Sequence, residues 1–328
     1  MKTRFVGAAS ACALILCAGT ASAADQIRVL IPTWLGYAPL HVAQETGCFA
    51  RNNLDVPTRF EDDQANIGSA MQSGDIDLFM RTVGEFQGRP RDANTTGLII
   101  GTIDESAGGD GVIADGSIKS IADLKGKTVA AEPNIPARLV LQLELKKAGL
   151  TLNDLSMRDI AAADTAAIFS DPSISAIATY EPYMSQAILN SARPGARVIA
   201  STKDYSGIIV DAIVARTEDL KANPDKYVRF LRCIYEAVDF IKANPDQFYK
   251  IAGEKFGLKP EEVKKIVDTS LSYNTLQQAR DYLGEPGKPG RLFGIFDTVM
   301  ELNLENGAAD NRLIATNHID NSIIAKLR

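Results

Sequence analysis

From Ile27 onward, short β-type apolar runs alternate with stretches of helical patterning. Ile27-Arg28-Val29-Leu30-Ile31 predicts a first strand that stops at Pro32. A loop over Thr33 to Pro39 follows, then a helix over Leu40 to Thr46 with Gly47 at its C-terminus. Val56 to Phe60 predicts a second strand running into the acidic turn Glu61-Asp62-Asp63. Asn66 to Gln72 reads as a helix, Ile76 to Met80 as a third strand and Leu98-Ile99-Ile100 as a fourth. A β-α-β-α order implies parallel pairing with helices on both sheet faces.

The pattern starts again after Gly108-Gly109-Asp110-Gly111. Ser120-Ile121-Ala122-Asp123 has the form of a capping box. Thr128 to Ala131 predicts a strand, and Pro136 to Ala148 an amphipathic helix closed by Gly149. Ile174 to Tyr180 is a further strand, Pro182 to Asn190 a helix, and Ala196 to Ala200 and Ile208 to Ala215 complete the strand set. From Thr217 the chain is nearly all helical, and Asn223-Pro224 and Asn244-Pro245 each place a capping Asn before a Pro at the first helical position. No segment has the composition of a flexible linker. Two α/β lobes are therefore expected to be joined by two extended crossings, near Ser106 to Gly111 and near Ile209 to Ala212. The expected division is a signal segment over 1–23, a first lobe over 24–108, a second lobe over 109–210, and a return to the first lobe with the C-terminal helices over 211–328.

The opening segment adds a compartment. Lys2 and Arg4 form a basic start, Val6 to Ala18 an apolar and small-residue stretch, and Ala21-Ser22-Ala23 a small-x-small cleavage site. The apolar stretch is too short to span a bilayer of roughly 30 Å, and Leu16 before Cys17 argues against a lipid anchor. Export to the periplasm as a soluble monomer is the expectation. Cleavage leaves roughly 300 residues, enough for two lobes with cores of their own. The net charge is −6 and becomes more negative once Lys2 and Arg4 leave, which argues against a nucleic-acid partner. Of four cysteines, Cys48 and Cys233 remain after cleavage. Each sits in an apolar, helix-like setting, so two buried thiols are the expectation, although an oxidising compartment would permit a bridge. With only His41 and His318 besides, no metal site and no cofactor are expected.

Several segments together resemble the solute-binding proteins of nitrate, taurine and alkanesulfonate ABC importers, a family that includes pyrimidine-precursor binders. They are Trp34-Leu35-Gly36-Tyr37-Ala38-Pro39-Leu40, Gly47-Cys48-Phe49-Ala50-Arg51-Asn52-Asn53-Leu54, Ser73-Gly74-Asp75-Ile76-Asp77, Ile121-Ala122-Asp123-Leu124-Lys125-Gly126-Lys127 and Ala178-Thr179-Tyr180-Glu181-Pro182-Tyr183. Cys48 departs from the family's usual aromatic, which reads as a packing change. The resemblance implies a type II periplasmic binding fold, two α/β lobes joined by hinge strands, that closes on a small-molecule solute and hands it to a membrane permease without chemistry. A pyrimidine-synthase-like enzyme on the same fold and a sensory solute receptor are the alternatives.

Carrying the family's binding loops onto this chain names Trp34 and Tyr37 after the first strand, Asp63 and Gln64 after the second, and Arg81 and Thr82 after the third. Asp104, Ser106 and Asp110 fall around the first crossing, Asn134 at the mouth of the Pro136 helix, Glu181 after a second-lobe strand and Asp211 on the return crossing. Each has a plainer reading. Trp34 can be packing, the 61–63 carboxylates a solvated turn, and Arg81 the partner of a surface carboxylate. Asp211 interrupts an apolar run and needs a partner, either the ligand or an internal Arg. A set rich in carboxylates with one cation suits a solute carrying an amino, amidine or similar nitrogen, zwitterionic ones included, better than nitrate or a simple sulfonate. Mass spectrometry of the exported protein is expected to give Ala24 as a free N-terminal residue; an acylated Cys17 would contradict this.

Overall fold

The computed structural model describes residues 23–88, 91 and 95–327. The expected signal segment, apart from Ala23, lies outside the described residues. Four strands open the first sheet: β1 (Val29–Ile31), β2 (Thr58–Phe60), β3 (Leu78–Thr82) and β4 (Leu98–Ser106). The chain then builds a second, five-stranded sheet from β5 (Asp110–Ala114), β6 (Thr128–Ala131), β7 (Ser156–Asp159), β8 (Ala176–Tyr180) and β9 (Arg197–Ser201). It returns through β10 (Val210–Ala215) and β11 (Leu271–Tyr273), which complete the first sheet at six strands. The orders are β11-β4-β10-β3-β1-β2 and β9-β5-β8-β6-β7. This is the two-lobed periplasmic binding protein fold.

Both sheets follow one plan. Three consecutive strands in each, β1–β3 and β6–β8, pair in parallel in the order second-first-third, and a strand arriving from the other lobe, β10 or β5, lies antiparallel beside the third. The parallel pairing expected from the β-α-β-α order holds for β1–β3 and is repeated in β6–β8, and each sheet adds antiparallel strands to it. β10 and β5 enter from the opposite lobe and run against their neighbours, which makes both sheets mixed. Two short strands, β7 and β11, lie at sheet edges; β7 is largely exposed.

The two crossings lie side by side. β4 and β10 pair antiparallel with Glu105 opposite Val210 and Asp104 opposite Asp211. The N–H of Ser106 donates to Ile209 O at 3.1 Å, and that of Gly108 to the Thr202 hydroxyl at 2.8 Å. The C-terminal helices pack on the first sheet and its helices. Pro224–Ala243 buries Tyr227, Phe230, Leu231, Ile234, Val238 and Ile241 at helical spacing, and Phe230 stacks on Phe49 at 5.4 Å. Asn223 and Asn244 stand at the expected helix starts. Their side chains turn back to Asp219 and to Phe240 O instead of capping, and the prolines at the first helical position set the starts without them. No helix among the described residues is long and apolar enough to cross a membrane.

Cys48 and Cys233 form a disulfide, Cα–Cα 5.6 Å, which corrects the expectation of two free thiols and of a mere packing change at Cys48. The short helix Cys48–Arg51 lies against Pro224–Ala243, so two residues distant in sequence meet at bridging distance. The bond closes a loop of separation 185, and a native disulfide typically contributes about 2–4 kcal/mol. Thiol titration of the denatured mature chain should find no free cysteine, and reduction should lower the thermal midpoint by several degrees.

Candidate functional site

Loops at the carboxyl ends of the parallel strands of both sheets face each other across the hinge, where a crevice is expected on topological grounds. The cleft is lined by Pro32, Trp34, Tyr37, Arg81, Thr82, Glu85, Asp110, Pro136, Tyr180 and Asp211. The free space between them is about 20 Å³, room for a water or two, so the lobes lie closed.

The wall after β1 is aromatic. The Trp34 indole N–H donates to Asp104 Oδ2 at 3.1 Å, and its ring meets Tyr180 of the other lobe edge-on, centroids 6.4 Å apart. Two glycines make room for it. A Cβ on Gly36 would stand 2.1 Å from the indole nitrogen and 2.2 Å from Asp104 Oδ2, and one on Gly109 would stand 2.3 Å from the ring. The Tyr37 hydroxyl donates to Asp211 Oδ1 in a short hydrogen bond. Burial first, then the charges of Asp211, Glu85 and Asp104, holds the Tyr37 phenol protonated far above its ordinary range.

The floor is acidic. Asp104, Asp110 and Asp211 are all at least 96 % buried, with no cation bonded to them. Asp104 stands opposite Asp211 across the β4–β10 pairing, and Asp104 Oδ1 is buried without a hydrogen-bond partner among the described residues. Burial first, and for Asp211 the neighbouring charge of Asp104, pushes both up. Asp110 accepts from Ser106 and is pushed up to about 8, by burial first and then by Asp211, Glu85 and Glu181. Ser106 is tied in turn to Thr202 at 2.8 Å.

Arg81 is also buried and fully engaged on one side. It bonds Glu85 at 2.7 Å and the carbonyls of Glu61 and Asp62 at 3.2 and 2.6 Å. Burial opposes its charge most strongly, but Glu85, Tyr180 and Tyr37 together outweigh it and raise its pKa. Thr82 and Glu85 form a capping box at the start of the helix Val83–Gln87. At the rim, Gln64 and Asn134 bridge the lobes: Asn134 Nδ2 donates to Gln64 Oε1 at 3.1 Å, and Gln64 Nε2 approaches Asn134 O at 3.4 Å. Asn134 is left-handed, φ +64°, a conformation asparagine tolerates better than most residues.

Among the residues named from sequence, Trp34, Tyr37, Arg81, Thr82, Asp110 and Asp211 meet in the cleft. Asp104 and Ser106 stand behind it and hold its polar groups, and Gln64 and Asn134 close its rim. Asp63 is exposed and caps the helix Gln64–Ser73 by accepting from Ala65 N at 2.7 Å. The Glu181 carboxylate accepts from Ser185 N and Oγ at 3.1 and 2.9 Å. Pro32, Glu85, Pro136 and Tyr180 were missed. Thr82-Val83-Gly84-Glu85 directly after a strand was the available signal for Glu85. The two histidines lie elsewhere: His41 packs against Phe60 and Phe256, and His318 against Phe86 and Phe296.

Carboxyls raised in the folded state hold protons that the unfolded chain releases at lower pH. Their contribution to stability is full below the ordinary value of 3.8 and is lost as pH rises through about 8. Thermal melts of the solute-free protein should show stability falling across that window, and Asp110→Asn should flatten the fall.

With this geometry in hand, the chain compares as follows. The sequence profile described as NMT1/THI5 like matches residues 34–248. A Brucella abortus protein, provisionally named a binding protein, is 28% identical over 236 residues, covering 70% of this chain and 72% of its own. The alkanesulfonate-binding protein SsuA of Xanthomonas axonopodis pv. citri, solved with MOPS, superposes with a TM-score of 0.76 at 16% identity over 92% of this chain and 100% of its own. The periplasmic nitrate-binding protein NrtA of Synechocystis does so with 0.72 at 15% identity over 93% and 86%. The profile match spans well over half of the sequence, in agreement with the family resemblance read from its motifs, and the chain belongs to the NMT1/THI5-like family.

Proposed function

We propose that this chain is the periplasmic solute-binding component of an ABC importer, a monomeric receptor that captures a small nitrogen-bearing solute and delivers it to the inner-membrane permease. One observation carries the reading: Asp110 and Asp211, backed by Asp104, converge on a cleft between two lobes, and the one cationic side chain among the described residues lining it, Arg81, is already bonded to Glu85. Buried carboxylates with no bonded cation are costly unless a donor meets them. An amine, amidine or aminopyrimidine supplies such donors, and Trp34 and Tyr37 supply aromatic surface beside it. The names of the relatives, alkanesulfonate-binding and nitrate-binding, support the receptor role. The acidic floor favours a different solute class from theirs.

Entry requires the lobes to part, breaking the Gln64–Asn134 bridge and the Trp34–Tyr180 contact while the paired crossings β4 and β10 act as the hinge. The chain performs no chemistry in this reading. The placement of both histidines among aromatic side chains outside the cleft supports that, as does the signal-like opening segment for the periplasm.

Trp34 is the only tryptophan in the sequence, so intrinsic fluorescence reports on the cleft alone. A panel of small amines, amidines, aminopyrimidines and sulfonates, scored by Trp34 emission and thermal shift, should select a donor-bearing compound. Asp211→Asn keeps an acceptor for Tyr37 but removes the charge. A charge-assisted hydrogen bond is worth about 1.5–3 kcal/mol, so affinity should fall about 10- to 100-fold. Undiminished affinity in the variant would refute the donor-bearing solute.

A further inference from the structure

The donors around Glu85 form a set of their own. Arg81 NH1 donates to Oε1 at 2.7 Å and Gln64 Nε2 approaches the same oxygen at 3.3 Å. The Thr82 backbone N–H and hydroxyl donate to Oε2 at 3.0 and 2.8 Å. A guanidinium, a hydroxyl, a backbone N–H and a side-chain amide converging on two oxygens is the chemistry by which proteins hold a carboxylate, sulfonate or phosphate. Here the anion belongs to the chain. A capping role alone explains Oε2; it leaves unexplained why Oε1 takes the buried arginine and the glutamine at the rim. Arg81 Nε is buried with no partner, so even this donor set is not used up.

We propose that Glu85 is a specificity-determining residue whose carboxylate occupies, from within the chain, the place where Arg81, Thr82 and Gln64 would hold an oxoanion, so that the cleft refuses oxoanion solutes. The proposal rests on the reading that this cleft is the solute site. An entering oxoanion meets Arg81 already neutralised and faces the Glu85 carboxylate at close range, a like-charge contact that works as a device against the wrong ligand. Removing the Glu85 charge leaves a buried guanidinium short of its counter-charge, and an anion from solution can then supply it.

The test uses the whole mature protein and methanesulfonate as probe, at constant ionic strength, read by Trp34 fluorescence and thermal shift. The parent should respond weakly or not at all. Glu85→Ala should bind the probe at least tenfold more tightly than the parent, and the gain should vanish when Arg81→Met is added. Glu85→Gln, which keeps an oxygen for the Thr82 N–H, carries the test if Glu85→Ala does not fold. Folded variants that gain no affinity, or a parent that binds methanesulfonate as tightly as they do, would overturn the proposal. If those variants still answer an amine or amidine through Trp34, only the role of Glu85 falls; if nothing moves Trp34 in any of the proteins, the receptor reading falls with it.

Discussion

The pairing of β4 with β10 is the constraint on which the rest of the molecule depends. These two strands carry the chain between lobes, and their register sets Asp104 opposite Asp211 in a dry interior. Two carboxylates in contact there cannot both ionise, because burial and mutual repulsion act in the same direction. The surroundings answer that problem residue by residue. The Trp34 indole donates to one carboxylate and the Tyr37 hydroxyl to the other. Gly36 and Gly109 are glycines because any side chain there would collide with the indole or with Asp104.

The same logic separates the cleft into two electrical halves. On the side of β3, Arg81 and Glu85 neutralise each other, and the leftover guanidinium donors hold the backbone of the 61–63 turn in place. That turn then secures the loop after β1, since Asp62 accepts from Thr33 N and Oγ1 at 2.7 and 3.0 Å. On the hinge side, three aspartates stand without a bonded cation. A cleft so divided receives donors at one end and offers no free counter-charge at the other.

The disulfide and the aromatic stacking of Phe49 on Phe230 bind the helix Pro224–Ala243 to the first lobe, and the Tyr235 hydroxyl of that helix donates to Thr102 O of β4 at 3.0 Å. The contacts between the lobes include the amide bridge at the rim, the edge-on aromatic pair, hydrogen bonds of Gln142 with Leu302 and Asn306, the Lys146–Glu305 ion pair and a small apolar cluster of Leu139, Ile209, Val299 and Leu302. The paired crossings keep both lobes in one register.

The sequence by itself determined the alternation of strands and helices, the doubling of the α/β pattern after Gly108, the absence of a linker, and the family likeness. All of these follow from local periodicity, turn residues and short motifs. Carrying the resembled family's binding loops onto the chain also named six residues that the structure brings together in the cleft. Only the tertiary structure decided that the sheets are mixed, since strand direction depends on which lobe a strand arrives from. It alone brought Cys48 to Cys233 and gave Asp63 and Glu181 to local hydrogen bonds. The same holds for Asp104 facing Asp211, whose meeting depends on the register of two strands a hundred residues apart, and no local pattern along the chain encodes a register.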